Sequence, residues 1–451
     1  MRNGLSNVSE VLHEVLSRQA GQMRGLWRMV ASTPASTLES NIRILCIEVA
    51  PAAVLNAAAS FNAAFAIHLG ASNEEIGLLS SIPALLAVLV LIPSGQIIGR
   101  RAQRMPLLVR SLFVTRLTYL LMALVPLLVG FPQGTIVVAL LIAATPANQF
   151  FGLGWNSMLA DVIPEVRRAR IFAVRNIVNA VAVTSGIYIF GLWLDRVHFP
   201  VNYQAMYLLG FVSALLSTYW ITKMRVADSF VPAPRPRPPV HVRALLQTAR
   251  ATMSEHHDFV RMTFNTFLHG TGLWMIGPLY ILYYVRQLGA TDGWIGLNGT
   301  LGNLTPIFGY YLWQRGVRKW GENKILKWTI VLNGIYPIVV GLTPHLAIIP
   351  ILTGLQGFLI GPAVNLTHFP MLLKVCPDER RPQYIAIFST IMNISAFIMP
   401  LVGVYLAGIF GFGPVIVAGG VMSVLGSSSF LWNRLRTPDS LAARRREGET
   451  G

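Results

Sequence analysis

Apolar stretches of roughly twenty residues alternate with short polar gaps along most of this chain, and a helix of that length is what crosses a hydrocarbon core of about 30 Å. The pattern predicts twelve transmembrane helices, at approximately 44–67, 74–98, 107–130, 135–159, 171–193, 203–223, 260–285, 292–313, 325–343, 347–372, 384–407 and 413–434. Between the sixth and seventh lies Val231-Pro232-Ala233-Pro234-Arg235-Pro236-Arg237-Pro238-Pro239. Prolines at this density prevent a helix and predict a stiff extended linker. The chain therefore divides into an N-terminal segment 1–40, a six-span bundle 41–224, a Pro/Arg-rich linker 225–257, a second six-span bundle 258–436 and a basic tail 437–451.

The two bundles echo each other. Met158, Leu159, Val162, Pro164, Arg167 and Arg168, around the gap after the fourth span, return at constant spacing as Met371, Leu372, Val375, Pro377, Arg380 and Arg381. Leu69-Gly70-Ala71-Ser72, followed by Ile76-Gly77-Leu78, returns at nearly the same spacing as Leu288-Gly289-Ala290-Thr291 and Ile295-Gly296-Leu297. Two independent echoes in one order imply a duplicated architecture.

Composition supports this reading: 53% of residues are hydrophobic and 12% charged, against about a quarter charged in soluble proteins. A net charge of +17 could suit nucleic acid, but that requires basic residues clustered on a folded soluble face. Here they sit in the gaps, so no nucleic-acid partner is expected. Of 36 Lys and Arg, only Arg196 and Arg286 fall in gaps on one side and only Arg116 lies deep within a span; the rest stand in the opposite gaps, the terminal segments or the adjoining span ends, which makes that side, with both termini, the cytoplasm. Cys46 and Cys376 have no metal-ligand or disulfide spacing and read as packing residues. No cofactor or metal site is expected. Within 1–40, Val8, Val11, Leu12, Val15, Leu16, Met23, Leu26, Trp27 and Val30 share one helical face flanked by Arg18, Arg24 and Arg28, which suits an interfacial helix on anionic membrane lipid. A frayed tail is the plainer alternative.

Twelve spans in two halves, a long basic linker and repeated basic hinges resemble the major facilitator superfamily over about Asn41 to Arg436. Its Gly-x-x-x-Asp-Arg-x-Gly-Arg-Arg signature is similar to Gly95-Gln96-Ile97-Ile98-Gly99-Arg100-Arg101-Ala102-Gln103-Arg104, with Gly95, Arg100, Arg101 and Arg104 supplying the glycine and basic cluster. The acidic position is Gly99, which bears on the ion pair that latches the family's cytoplasmic face. The hinge Asp161, Pro164, Arg167 and Arg168, with Arg175 beyond it, is similar to that after the fourth span of many bacterial members, and Arg380 and Arg381 repeat it. The resemblance implies an all-α membrane protein of twelve helices in two pseudo-symmetric six-helix bundles, acting as a monomer. It further implies that spans one, four, seven and ten line a central cavity and that two, five, eight and eleven form the moving interface. Pro83, Pro93, Pro146, Gly277-Pro278, Pro306, Pro337, Gly361-Pro362 and Pro400 would permit the bends that rocking needs.

Polar groups in hydrocarbon are expensive unless they meet a cavity or partner. In the implied lining spans the candidates for solute contact are Asn56, Asn148, Gln149, Trp155, His269, Trp274, Gln356 and Asn365, although hydrogen bonding between helices accounts for each amide equally well. Proton coupling needs a titratable group: Glu48, about one turn inside the predicted first span, and His269 are the candidates, with a headgroup anchor and a packing histidine as the alternatives. Arg116, deep in a span that the resemblance makes peripheral, is expected to snorkel or pair with a neighbouring helix rather than meet an anionic solute. Arg175 is expected to gate the cytoplasmic mouth against Asp161 or Glu165.

Together these features favour a secondary transporter of a small solute rather than an enzyme: no phosphate-binding loop, nucleophile elbow or paired-histidine metal motif is present. A multidrug antiporter and a non-transporting sensor are the alternatives. The fifth span, from Asn179 to Trp193, lacks the Gly-Pro-rich motif of family drug antiporters.

Overall fold

The computed structural model describes residues 36–99, 103–226, 256–377 and 380–432. They form helices and no strand, arranged as twelve spans: α1 (Thr37–His68), α2 (Asn73–Gly99), α3 (Met105–Leu124), α4 (Gln133–Val162), α5 (Glu165–Arg196) and α6 (Val201–Thr222) in one half. In the other half are α7 (His257–Ile276, prolonged by Leu279–Leu282 and Tyr283–Gln287), α8 (Asp292–Trp320), α9 (Glu322–Leu342), α10 (Ile349–Val375), α11 (Arg381–Phe410) and α12 (Phe412–Trp432). The interfacial helix predicted before residue 36, the Pro/Arg run and the basic tail lie outside the described residues.

The helices start where capping chemistry allows and run beyond the apolar stretches that announced them. Ser36 caps α1 by accepting from the Glu39 amide at 3.2 Å, and Ser72 and Glu75 close a reciprocal capping box on α2 (3.2 and 2.7 Å). Thr291, the echo of Ser72, caps α8 from the Trp294 amide at 3.2 Å. Gly70 and Gly289 both take positive φ just before these caps, which explains why the Leu-Gly-Ala-Ser/Thr sequence occurs twice. At the other face α1, α5 and α8 extend several residues past the predicted spans, because a helix remains favourable in the headgroup layer after its side chains become polar.

Ten spans are long and apolar enough to cross a membrane by those criteria alone; α7 and α8 are the two that are not. Three polar side chains of α8 bond to its own backbone. Thr300 and Thr305 donate to the carbonyls of Gly296 and Leu301 at 2.7 and 2.8 Å, and Asn303 to that of Gly299 at 2.8 Å. Large apolar side chains are exposed around the whole molecule, Val129 to 86% and Leu425 to 67%, a surface that only lipid can cover favourably.

The halves meet along α2 against α11 and α5 against α8, as the family resemblance implies, while α1 packs on α5 and α6 and α7 packs on α11 and α12. The core is distributed unevenly. At the face opposite the basic hinges, here the far face, one cluster runs through both halves and includes Phe61, Phe65, Tyr203 and Tyr207 with Ile276, Leu279, Tyr283 and Val404. Toward the hinge face it splits into two. One holds Leu45, Leu108, Trp155, Met158 and Leu159, the other Phe259, Leu326, Met371, Leu372 and Tyr384. The echoed pairs Met158/Met371 and Leu159/Leu372 thus anchor equivalent places in two separate cores. Pro146, Pro306, Pro337 and Pro400 sit inside helices, whereas α7 breaks at Gly277-Pro278 and α10 winds as a π-helical turn over Gln356–Ile360 just before Gly361-Pro362.

Candidate functional site

Small residues on α1 bring charged ones together. Ala57 and Ala58 are fully buried, and a side chain at Gly186 of α5 would lie 2.7 Å from the Ala57 methyl, so α5 and α6 close tightly on α1. That packing carries Glu48 of α1, Arg175 of α5 and Ser217 of α6 into one cluster. Glu48 Oε1 accepts from Arg175 Nη2 at 2.8 Å and Nε at 3.3 Å, and Oε2 accepts from Ser217 Oγ at 3.0 Å. Ser217 Oγ accepts in turn from Arg116 Nη2 at 3.1 Å, and Arg116 Nη1 donates to the Ala214 carbonyl. The chain Arg175–Glu48–Ser217–Arg116 crosses four helices and is almost wholly enclosed: Glu48 is 2% exposed and Arg116 4%. An ion pair in such surroundings is costly to dehydrate and costly to break.

The cluster forms one wall of a cavity of about 440 Å³ inside the first half. Asn56 and Tyr119 line it further along α1 and α3, and Asn148, Thr145, Phe151 and Trp155 line it from α4. Phe151 and Trp155, one helical turn apart, stack with ring centroids at 5.4 Å and planes at 27°, and the Arg175 guanidinium stands 5.7 Å from the Trp155 centroid. A recess of this size, in which polar and charged groups converge among apolar ones, has the character of a small-molecule site.

A protein-family model described as Major Facilitator Superfamily matches residues 49–255 and 262–450. The chain belongs to the major facilitator superfamily. It is thus a multi-pass membrane transport protein and not an enzyme. Among curated proteins none matches this chain. Solved superfamily structures similar to it include the nucleoside transporter NupG (TM-score 0.66, 11% identity, covering 86% of this chain and 99% of that one). Others are a bacterial homologue of the human lysosomal transporter Spinster in an inward-facing, unoccupied conformation (0.61, 11%, 90% and 100%) and a D-xylose–proton symporter (0.60, 15%, 89% and 97%). At such identities the likeness is one of fold.

Within this superfamily fold, Glu48, Asn56, Asn148, Trp155 and Arg175 of the sequence-derived candidates line the one recess. Gln149 is half-buried and is not among its lining residues. Other candidates lie in the second half. His269 is enclosed between α7, α9 and α12, with Nδ1 at 2.9 Å from Ser423 Oγ and Nε2 at 3.4 Å from Asn333 Nδ2, and Gln356 donates to Asn333 at 3.3 Å. Asn365 donates to the Tyr310 hydroxyl at 3.0 Å, and Trp274 covers Gly270.

The charged candidates find their partners between helices. Glu48 is 2% exposed and accepts from Arg175 and Ser217. Arg175, expected at the cytoplasmic mouth, is paired with Glu48. Arg116 pairs with α6, as expected, yet it also faces the recess. Of the hinge residues, Arg104 donates to Ser157 Oγ at 3.2 Å, Arg168 to the Ile163 carbonyl at 2.9 Å, and Pro164 sits at the cap of α5. Arg167 and Arg380 are exposed and Arg381 half-buried. Gly95 and Asp161 lie within α2 and α4, and Arg100 and Arg101 lie outside the described residues.

The groups that seal the far face are not among the sequence-derived candidates. Asp292 Oδ1 accepts from Tyr203 at 2.7 Å and lies 3.2 Å from His68 Nε2. Asp195 accepts from the Gly293 amide at 2.8 Å and Thr291 at 2.9 Å, and Arg286 reaches Asn73 and the Ala71 carbonyl. Each of these bonds joins one half to the other. The echoed Ile-Gly-Leu segments supply close approaches: Gly296 faces Gly191, where an added methyl would lie 2.9 Å from its Cα, and Gly77 faces Val404. The signal was present in the repeat itself, whose second copy carries an acidic residue, Asp292, at the mouth of the seam.

Proposed function

We propose that this protein is a secondary active transporter that moves a small polar solute across the membrane by alternating access, with the recess of the first half as its solute site. The observation that carries this reading is the uneven core: one apolar cluster and six hydrogen bonds join the halves at the far face, while two separate cores serve the hinge face. Helices packed in that way pivot about the sealed end. The basic hinges assign their face to the cytoplasm, so this arrangement is the inward-facing one and the far-face bonds form its outer gate. The proton-coupled form of the reading assigns the proton to Glu48, the carboxylate lining the recess.

Counterflow in sealed proteoliposomes containing the purified full chain tests the proposal. A labelled solute that exchanges against an internal unlabelled pool, without any ion gradient, is the expected result; failure of every solute class, including sugars, amino acids, nucleosides and organic acids, would sink it. Uptake driven by a pH gradient is expected to vanish in Glu48→Gln while counterflow persists, and a variant that still accumulates solute against its gradient would remove Glu48 from coupling.

A further inference from the structure

Charge in the recess does not balance. Two guanidiniums, Arg116 and Arg175, share a single carboxylate, Glu48, and among the described residues lining the cavity no other acidic group faces them. Ser217 links the set but carries no charge. One positive charge is therefore left in a recess of mixed polar and apolar lining, where a buried ion without a counter-charge is less favourable than in water. The hydrogen bonds are incomplete in the same place. Arg116 Nε is buried without a partner, and of the three Arg175 nitrogens two are committed to Glu48 Oε1 while Nη1 has no partner among the described residues. The Arg175 side chain is 22% exposed, so that open nitrogen belongs to a group within reach from the cavity. Beside it, with the Trp155 centroid 5.7 Å from the guanidinium, stands the stacked Phe151–Trp155 pair.

We propose that the solute is an organic monoanion with a flat, largely apolar body, its acid group held by Arg175 under the added field of Arg116 and its ring lying against Phe151 and Trp155. The proposal rests on reading the recess as the solute site and names the chemical class that site takes. Glu48 is then the resident counter-ion: it occupies one edge of the Arg175 guanidinium, and a carboxylate arriving from the cavity meets the remaining one. An anion neutralises the surplus charge and supplies the missing acceptor. A neutral analogue can supply only the acceptor, and a cation neither. Guanidinium–carboxylate pairing is the strong, geometrically specific form of this contact.

The competing account is a structural brace in which Arg175 and Glu48 only hold α5 to α1. Binding by the full-length protein, followed by thermal shift and titration calorimetry, separates the two. The probes are benzoate, nicotinate and indole acetate, each paired with its uncharged amide. The carboxylates are expected to bind and the amides to bind about tenfold more weakly or not at all. Arg175→Gln is expected to weaken benzoate by about tenfold or more, whereas Glu48→Gln, which frees the guanidinium, strengthens it. Opposite signs cannot come from a shared loss of folding. Amides binding as well as their acids, both variants shifting affinity in one direction, or no carboxylate binding at all would overturn the proposal. A neutral solute that exchanges in counterflow while all carboxylates fail removes the anion and leaves the transporter; absence of any exchange removes the transporter itself.

Discussion

The two halves of this molecule share a topology and spend their polar groups in different ways. In the first half, three charged side chains from α1, α3 and α5 converge beside an open recess, with donors to spare. In the second half, the comparable interior holds His269, Asn333, Gln356 and Ser423, a set without carboxylate or guanidinium whose members hydrogen-bond to one another. Packing was duplicated while chemistry was not. A transporter that binds through one bundle and rocks the other over it needs only one charged site, and a second would add the dehydration cost of further buried ions without a second solute to offset it.

Mutations can break or sharpen that contrast. The largest effect is expected from Glu48→Ala, which leaves Arg175 and Arg116 with no carboxylate: destabilisation of about 3–5 kcal/mol, read as unfolding in detergent without solute, with added benzoate recovering part of it. A loss under about 1 kcal/mol would mean that the cluster is already hydrated. Next is Gly296→Val at the seam between the halves, where a side chain meets the Gly191 backbone. Overpacking of about 1–3 kcal/mol biases against far-face closure, so counterflow is expected to fall about tenfold with little change in the unfolding midpoint. His269→Ala strands Ser423 and Asn333 and is expected to cost about 1–3 kcal/mol of stability while leaving solute affinity within about twofold. A tenfold affinity loss there would place the second half in the site after all. The smallest effect is expected from paired amides: Asn148→Ala in the recess weakens binding by about 1 kcal/mol, and Gln356→Ala in the second-half network weakens it by less. Equal losses would erase the distinction between the halves.

Much of this was legible in the chain. The span count, the duplication and the basic hinges follow from apolar length and charge placement, which obey the bilayer whatever the tertiary contacts. Asn56, Asn148 and Trp155 were identifiable as polar or amphipathic groups at membrane depth. The role of Arg175 was not, because its partner is 127 positions away and lies on a helix whose true start precedes its apolar run. The far-face seal was likewise hidden: Asp195, His68 and Tyr203 sit at ordinary helix ends, where a polar residue needs no explanation until the other half arrives opposite it.

The sequence by itself determined how many times the chain crosses the membrane, in what repeat, and which few side chains would be expensive there, since those depend on local hydropathy and helix geometry. Only the tertiary structure decided which expensive groups meet. The close packing allowed by Ala57 against Gly186 fixed the Glu48–Arg175 pair, and the approach of Gly191 to Gly296 fixed which end of the molecule is shut. Burial of charge is a property of neighbours, and neighbours separated by more than a hundred residues are chosen by packing alone.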